Sequence, residues 1–270
     1  MVRDAAFGSN FNTKLVISLI TIGLVLYDRR TRKRWDTFWV FLTATVIWTL
    51  VELSLQLRGT RELPERILLG QELPLPVSAV IQGMSEAAFI AVLGLFVGDR
   101  ILRRSTRTQA WIGFGLMCVF VAFLVLLQSA GNAGSAETVA SRRAMLTGSS
   151  VLFLVIVVGF NVWFWWRRPQ FRRRTAYMAL VMLIFATVWT AASVLVGSRW
   201  VEVESAEMLG AFQPASDIVS LATLVYDVVL EITLAYVPFF AIPVLLGLIT
   251  KPGPLDQRDL SLGEGTPTPR

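Results

Sequence analysis

Four carboxylates fall well inside apolar segments of this chain: Glu52, Glu86, Asp227 and Glu231. A charged side chain at the bilayer centre costs about 3 kcal/mol on insertion scales, so such acids face one another, water or a ligand. Asp227 and Glu231 are spaced i, i+4, on one face of a helix. Gln56 lies one turn after Glu52, Gln82 one turn before Glu86, and Tyr226 is adjacent to Asp227. All seven fall between the outer surface and the midplane of the spans drawn below, and together they are the expected substrate- or ion-binding set. Oxygen donors of this kind suit protons, magnesium, calcium, manganese or an organic cation rather than zinc or copper. No lysine or arginine is expected at that depth. The acids are therefore expected to be protonated, to bind a cation or to line a water-filled vestibule.

Other chemistry is limited by what the chain lacks. Histidine is absent, which removes imidazole proton relays, Ser-His-Asp catalysis and histidine-bound zinc or haem. Cys118 is the sole cysteine, so there is no intramolecular disulfide and no cysteine metal cluster. The three lysines are Lys14, Lys33 and Lys251, none inside the last apolar segment, so no retinal Schiff base is expected. No cofactor is expected.

The elements that must position the acids are membrane helices. Hydrophobic residues make up 54% of the chain and the mean hydropathy is +0.61, too apolar for an ordinary soluble domain. The apolar runs place spans at 11–27, 36–57, 77–98, 109–129, 149–166, 175–197 and 218–249. The expected fold class is thus all-α, a seven-helix polytopic membrane protein, with 1–250 as the transmembrane domain and 251–270 as a disordered cytoplasmic tail. The first segment reads as a retained helix with Lys14 snorkelling outward, because Tyr27-Asp28-Arg29-Arg30 stands where a signal cleavage site would need small residues.

Charge orients the bundle. Fourteen of the 25 basic residues fall in three short loops, Asp28 to Arg34, Asp99 to Arg107 and Arg167 to Arg174. The positive-inside rule puts these loops and the C-terminus in the cytoplasm and the N-terminus outside, with Trp35, Trp39, Trp111 and Trp163 at the inner interface and Trp200 at the outer one. The pI near 10.1 then reflects contact with anionic lipid on the cytoplasmic face, not nucleic acid. Two outer loops are long: 58–76, whose Ile67-Leu68-Leu69 can lie in the headgroup plane, and the acidic loop 198–217.

Two further features bear on mechanism. Pro238 and Pro243 interrupt the last span, freeing the carbonyls of Leu234 and Phe239 from helix hydrogen bonds. Trp48 and Trp189 are 141 positions apart, as are Glu86 and Asp227, a register compatible with a parallel 3+1+3 repeat of the kind transporters use. The leading expectation is a transporter or ion-handling protein of a prokaryotic plasma membrane, acting on protons, a cation or a cationic solute. The alternatives are a sensor or accessory subunit docking a cytoplasmic partner, and a lipid-headgroup enzyme using its carboxylates. Substrate, resident metal and oligomeric state are left open.

Overall fold

Seven helices alternate in direction, and their connections gather at two unlike ends of the bundle. In the computed structural model these are α1 Phe11–Arg32, α2 Asp36–Leu57, α3 Leu75–Leu102, α4 Arg107–Ala130, α5 Gly148–Arg167, α6 Arg172–Leu195 and α7 Asp217–Leu245. The structure describes residues 2–5, 11–63, 66–130, 140–143, 148–195, 199–205 and 208–253. Six of the helices are long and apolar enough to cross a membrane; Val151–Arg167, within α5, is apolar but shorter. Of the tail expected at 251–270, residues 254–270 lie outside the described residues, as does the side chain of Trp200.

The outer faces of the helices carry large apolar side chains with nothing of the protein over them, among them Val16, Leu50, Leu116, Val119, Leu152 and Val155. Buried positions include Lys14, Asp28, Glu52, Gln82, Asp99 and Arg174. Apolar outside and charged inside is consistent with a polytopic helical membrane protein, in which lipid covers the first set and the second set must find partners within the bundle.

Small residues let the central helices approach. A Cβ on Gly98 would sit 3.0 Å from the Met178 amide nitrogen, and one on Gly94 3.1 Å from the Met178 carbonyl oxygen, so α3 and α6 meet nearly backbone to backbone. On the other side of α3, Gly83 lies against Thr45 and Thr49 of α2. Trp48 of α2 stands edge-on to Tyr236 of α7, with ring centroids 5.2 Å apart.

The described residues are helical in class, as expected, and short strands are added at one end. The N-terminal segment and the α2–α3, α4–α5 and α6–α7 connections all contribute strands. These are β1 Val2–Ala5, β2 Arg61–Glu62, β3 Ile67–Leu68, β4 Gln71–Glu72, β5 Ala140–Arg143, β6 Arg199–Ser205 and β7 Met208–Pro214. Five of them form one antiparallel sheet in the order β2-β5-β1-β6-β7. An even-numbered connection between alternating helices must return to the end where the chain began, so a shared sheet is what seven alternating helices allow. Ile67-Leu68-Leu69 does not form an interfacial helix. It enters a β3–β4 hairpin, with Leu69 and Gly70 at φ 51° and 82°, the positive values a tight type I′ turn needs. Apolar periodicity carried no signal for β1, β2 and β5, because each is short and pairs with a segment remote in sequence.

The other end has connections of a few residues. There α1 runs past residue 27 to Arg32, and its last turn holds Arg29, Arg30 and Arg32, while α2 begins at Asp36. Cations at a helix C-terminus and an anion at an N-terminus both complement the helix dipoles.

Candidate functional site

The π-helical turns are the first clue to where the bundle is irregular. Gly83–Ala88 of α3 and Tyr226–Leu234 of α7 are wound as π-helix. Glu86 lies in the first, and Tyr226, Asp227 and Glu231 in the second. Such turns widen a helix and are common at functional sites.

Around Glu86 the structure assembles a charged cluster at the sheet end of α1, α2 and α3. Lys14 Nζ donates to Glu86 Oε1 at 2.6 Å. Arg61 Nη1 donates to Glu52, and its Nη2 lies 3.5 Å from both oxygens of Glu86. Gln56 Nε2 reaches Glu52 Oε2 at 3.4 Å. The Gln82 amide oxygen accepts from Arg61 Nη2 at 3.1 Å and Lys14 Nζ at 3.3 Å, which puts an oxygen between two cations.

This overturns the expectation that no cation reaches the acids. Lys14 does not snorkel outward: it is 2% exposed and turns inward to Glu86. Arg61, counted as an outer-loop residue, is carried back over Glu52 by β2, the edge strand of the sheet. Among the described residues, two carboxylates here meet two cations. The Glu86 side chain keeps 27% of its surface open, whereas that of Glu52 is fully covered.

The remaining expected site residues are on another part of the bundle. Asp227 and Glu231 are buried on α7, whose π turn packs against α6 and α5, with Tyr226 half-buried beside them. Just below, Asn161 Nδ2 of α5 donates to the Leu234 carbonyl at 2.8 Å. That is the carbonyl whose helix partner would be the amide missing at Pro238. The sequence thus brings Glu52, Gln56, Gln82 and Glu86 into one cluster and carries Tyr226, Asp227 and Glu231 on a separate helix.

A second cluster, at the arginine-rich end, was not anticipated. Arg32 holds Asp28 through two bonds of 2.6 Å and reaches Asp99 at 2.6 Å. Arg174 grips both oxygens of Asp99 at 2.7 Å and donates to Asp36 at 2.7 Å. Arg34 pairs with Asp36 at 2.6 Å, Arg100 with Asp28 at 3.2 Å, and the Thr37 hydroxyl donates to Asp28 at 3.1 Å. The Lys251 carbonyl accepts from Arg174 at 3.0 Å, which ties the end of the helical domain to α6. Arg34, in the α1–α2 connection, is held below the usual arginine range by burial, with the Asp36 carboxylate opposing the shift. The available signal was the aspartates. Positive-inside loops need arginine but not acids, and Asp28, Asp36 and Asp99 each stand at a helix end beside them.

No protein-family model, curated protein or solved structure matches the chain. The arrangement must therefore be read from its own chemistry.

Proposed function

We propose that the protein is an integral membrane transporter or ion-handling protein in which Glu86 is the exchange point for a proton, a cation or a cationic solute. The observation that carries this reading is the setting of Glu86: a carboxylate on a π turn of a membrane-length helix, bridged by Lys14 and Arg61, yet still partly open. An incoming cation or proton competes with Lys14 for the same oxygens. Binding then frees an ammonium that Gln82 is placed to accept. A charge swap of this kind couples occupancy to helix position, because Lys14 is on α1, Glu86 on α3 and Arg61 on the sheet.

The packing pattern supports a 3+1+3 plan for the same reading. The second helix packs on the π turn of the third, as the sixth does on that of the seventh. The third helix packs on the sixth, as the second does on the seventh. Exchanging the two triplets maps these four contacts onto one another, with Asp227 in the place of Glu86 and Trp189 in that of Trp48. In this plan Asp227, Glu231 and Tyr226 form the second station, and the Arg-rich end faces the cytoplasm of a prokaryotic cell.

The test is ion flux in proteoliposomes, with interior pH- and cation-sensitive dyes, for wild type, Glu86→Gln and Asp227→Asn. Flux in wild type, lost in both variants while each stays folded, is the expected result. Unchanged flux in Glu86→Gln removes that residue from the mechanism, and a folded wild type silent under every gradient ends the transport reading.

A further inference from the structure

The cluster at the arginine-rich end contains more positive than negative charge. Among the described residues, Arg32, Arg34, Arg100 and Arg174 meet three carboxylates, Asp28, Asp36 and Asp99. Each aspartate has a close arginine partner at 2.6 or 2.7 Å. Arg100 has the longest contact, 3.2 Å to an Asp28 already gripped by Arg32, and at 22% its side chain is the most exposed of the four. The surplus cation is therefore Arg100.

Arg100 also closes one end of a groove. Helices α1 and α4 both pack on α3, and between them runs a mostly apolar cleft of about 720 Å³, lined by Ile20 and Leu24 of α1, Leu93 of α3, and Met117 and Phe120 of α4. Its lining on α1 extends from Thr13 to Tyr27, roughly 21 Å at about 1.5 Å per residue. That exceeds one leaflet's share of a hydrocarbon core about 30 Å thick. At the arginine-rich end the walls turn polar, with Gln109 beside Arg100, whose guanidinium is stacked 3.4 Å over the Phe96 ring and so is held at the groove mouth.

We propose that this groove binds one anionic diacyl phospholipid from the leaflet at the arginine-rich end, its phosphate on Arg100 and an acyl chain along α1 and α4. Bulk lipid of any headgroup can wet an apolar cleft; the unbalanced guanidinium at its mouth selects for negative charge. The lipid phosphate supplies the fourth anion, so the bound lipid completes the ion-pair network rather than merely covering its edge. The site is remote from Glu86 and stands whether or not the protein transports anything.

The experiment uses the purified full chain in an uncharged detergent, with lipid retention read by native mass spectrometry and thermal unfolding read in parallel. The probes are dioleoyl phosphatidylglycerol, dioleoyl phosphatidylcholine and soluble glycerol 3-phosphate. Wild type is expected to retain one phosphatidylglycerol with about fivefold preference over phosphatidylcholine, the size one arginine gives against an anionic surface. Arg100→Gln removes the preference. Gly113 lines the groove with nothing within 4 Å of a Cβ, so the side chain of Gly113→Leu starts from open space, occupies the cleft and is expected to lose the lipid. Gly115 is equally open and not among the groove's lining residues, so Gly115→Leu retains it. Equal retention of both lipids by wild type, phosphatidylglycerol held undiminished by Gly113→Leu, or displacement by glycerol 3-phosphate as effectively as by lipid overturns the proposal. Should Arg100→Gln fail to fold, the glycine pair decides.

Discussion

The bundle holds two charged clusters, and they are built to different standards. At the arginine-rich end the principal ion pairs are 2.6 to 2.7 Å long, two of them are bidentate, and Asp28 and Asp99 have no exposed surface. At the sheet end two close pairs, Lys14–Glu86 and Arg61–Glu52, are accompanied by contacts of 3.4 to 3.5 Å and a partly open carboxylate at Glu86. Bidentate guanidinium–carboxylate geometry fixes both partners in orientation. The longer contacts, from Arg61 to Glu86 and from Gln56 to Glu52, can be rearranged at small cost. The first cluster locks α1, α2, α3 and α6 together, and the second has fewer bonds of fixed orientation.

The largest expected effect breaks the lock. Arg174→Met leaves Asp99 with Arg32 alone and Asp36 with Arg34 alone and removes three bonds to buried carboxylates, and breaking a buried pair costs about 3 to 5 kcal/mol. Unfolding of the variant by heat or SDS in micelles should show that loss, well above the loss for Lys14→Met at the sheet end. Equal losses erase the distinction between the clusters.

A somewhat smaller effect comes from the spacing of α3 and α6. Gly98→Ala places a Cβ 3.0 to 3.2 Å from the backbone of Tyr177 and Met178, which has little room to yield, at a cost of about 1 to 3 kcal/mol. Asp99 is the next residue, so the same shift stretches its bonds to Arg174. Gly159→Ala on α5 meets open space and should leave unfolding unchanged. A neutral Gly98→Ala means the Asp99–Arg174 pair tolerates displacement and is no lock.

Seven apolar runs, their alternation and the arginine asymmetry were legible in the sequence because lipid imposes them residue by residue, and α2 is found at 36–57 as expected. The charge partners were not. Lys14 lies near a helix end, where snorkelling and turning inward look alike in one dimension; only the position of α3 decides between them. Arg61 is brought to Glu52 by strand pairing between loops that are distant in sequence. Asp28, Asp36 and Asp99 were visible as residues but were read as part of a loop's net charge, which hid that each faces a particular arginine. Glu52 and Glu86 stood out as acids within apolar runs. What neutralises them depends on tertiary contacts.

Two single hydrogen bonds sharpen the contrast at its fine end. Thr37→Val keeps the side chain's shape and removes one bond, 3.1 Å long, to the fully buried Asp28. A bond to a buried charged group is worth roughly 1.5 kcal/mol, and that loss should be read in thermal unfolding. Gln56→Leu at the sheet end also removes one contact, yet it is 3.4 Å long and Gln56 is half-buried. Glu52 keeps Arg61, and Gln82 keeps its bonds from Arg61 and Lys14. The stability change should therefore stay within about 0.5 kcal/mol, as for substitutions away from tightly fixed groups. If Gln56→Leu costs as much as Thr37→Val, the amides near Glu86 are held as firmly as the aspartate lock. A cluster held that firmly has no low-cost rearrangement through which Glu86 could release Lys14.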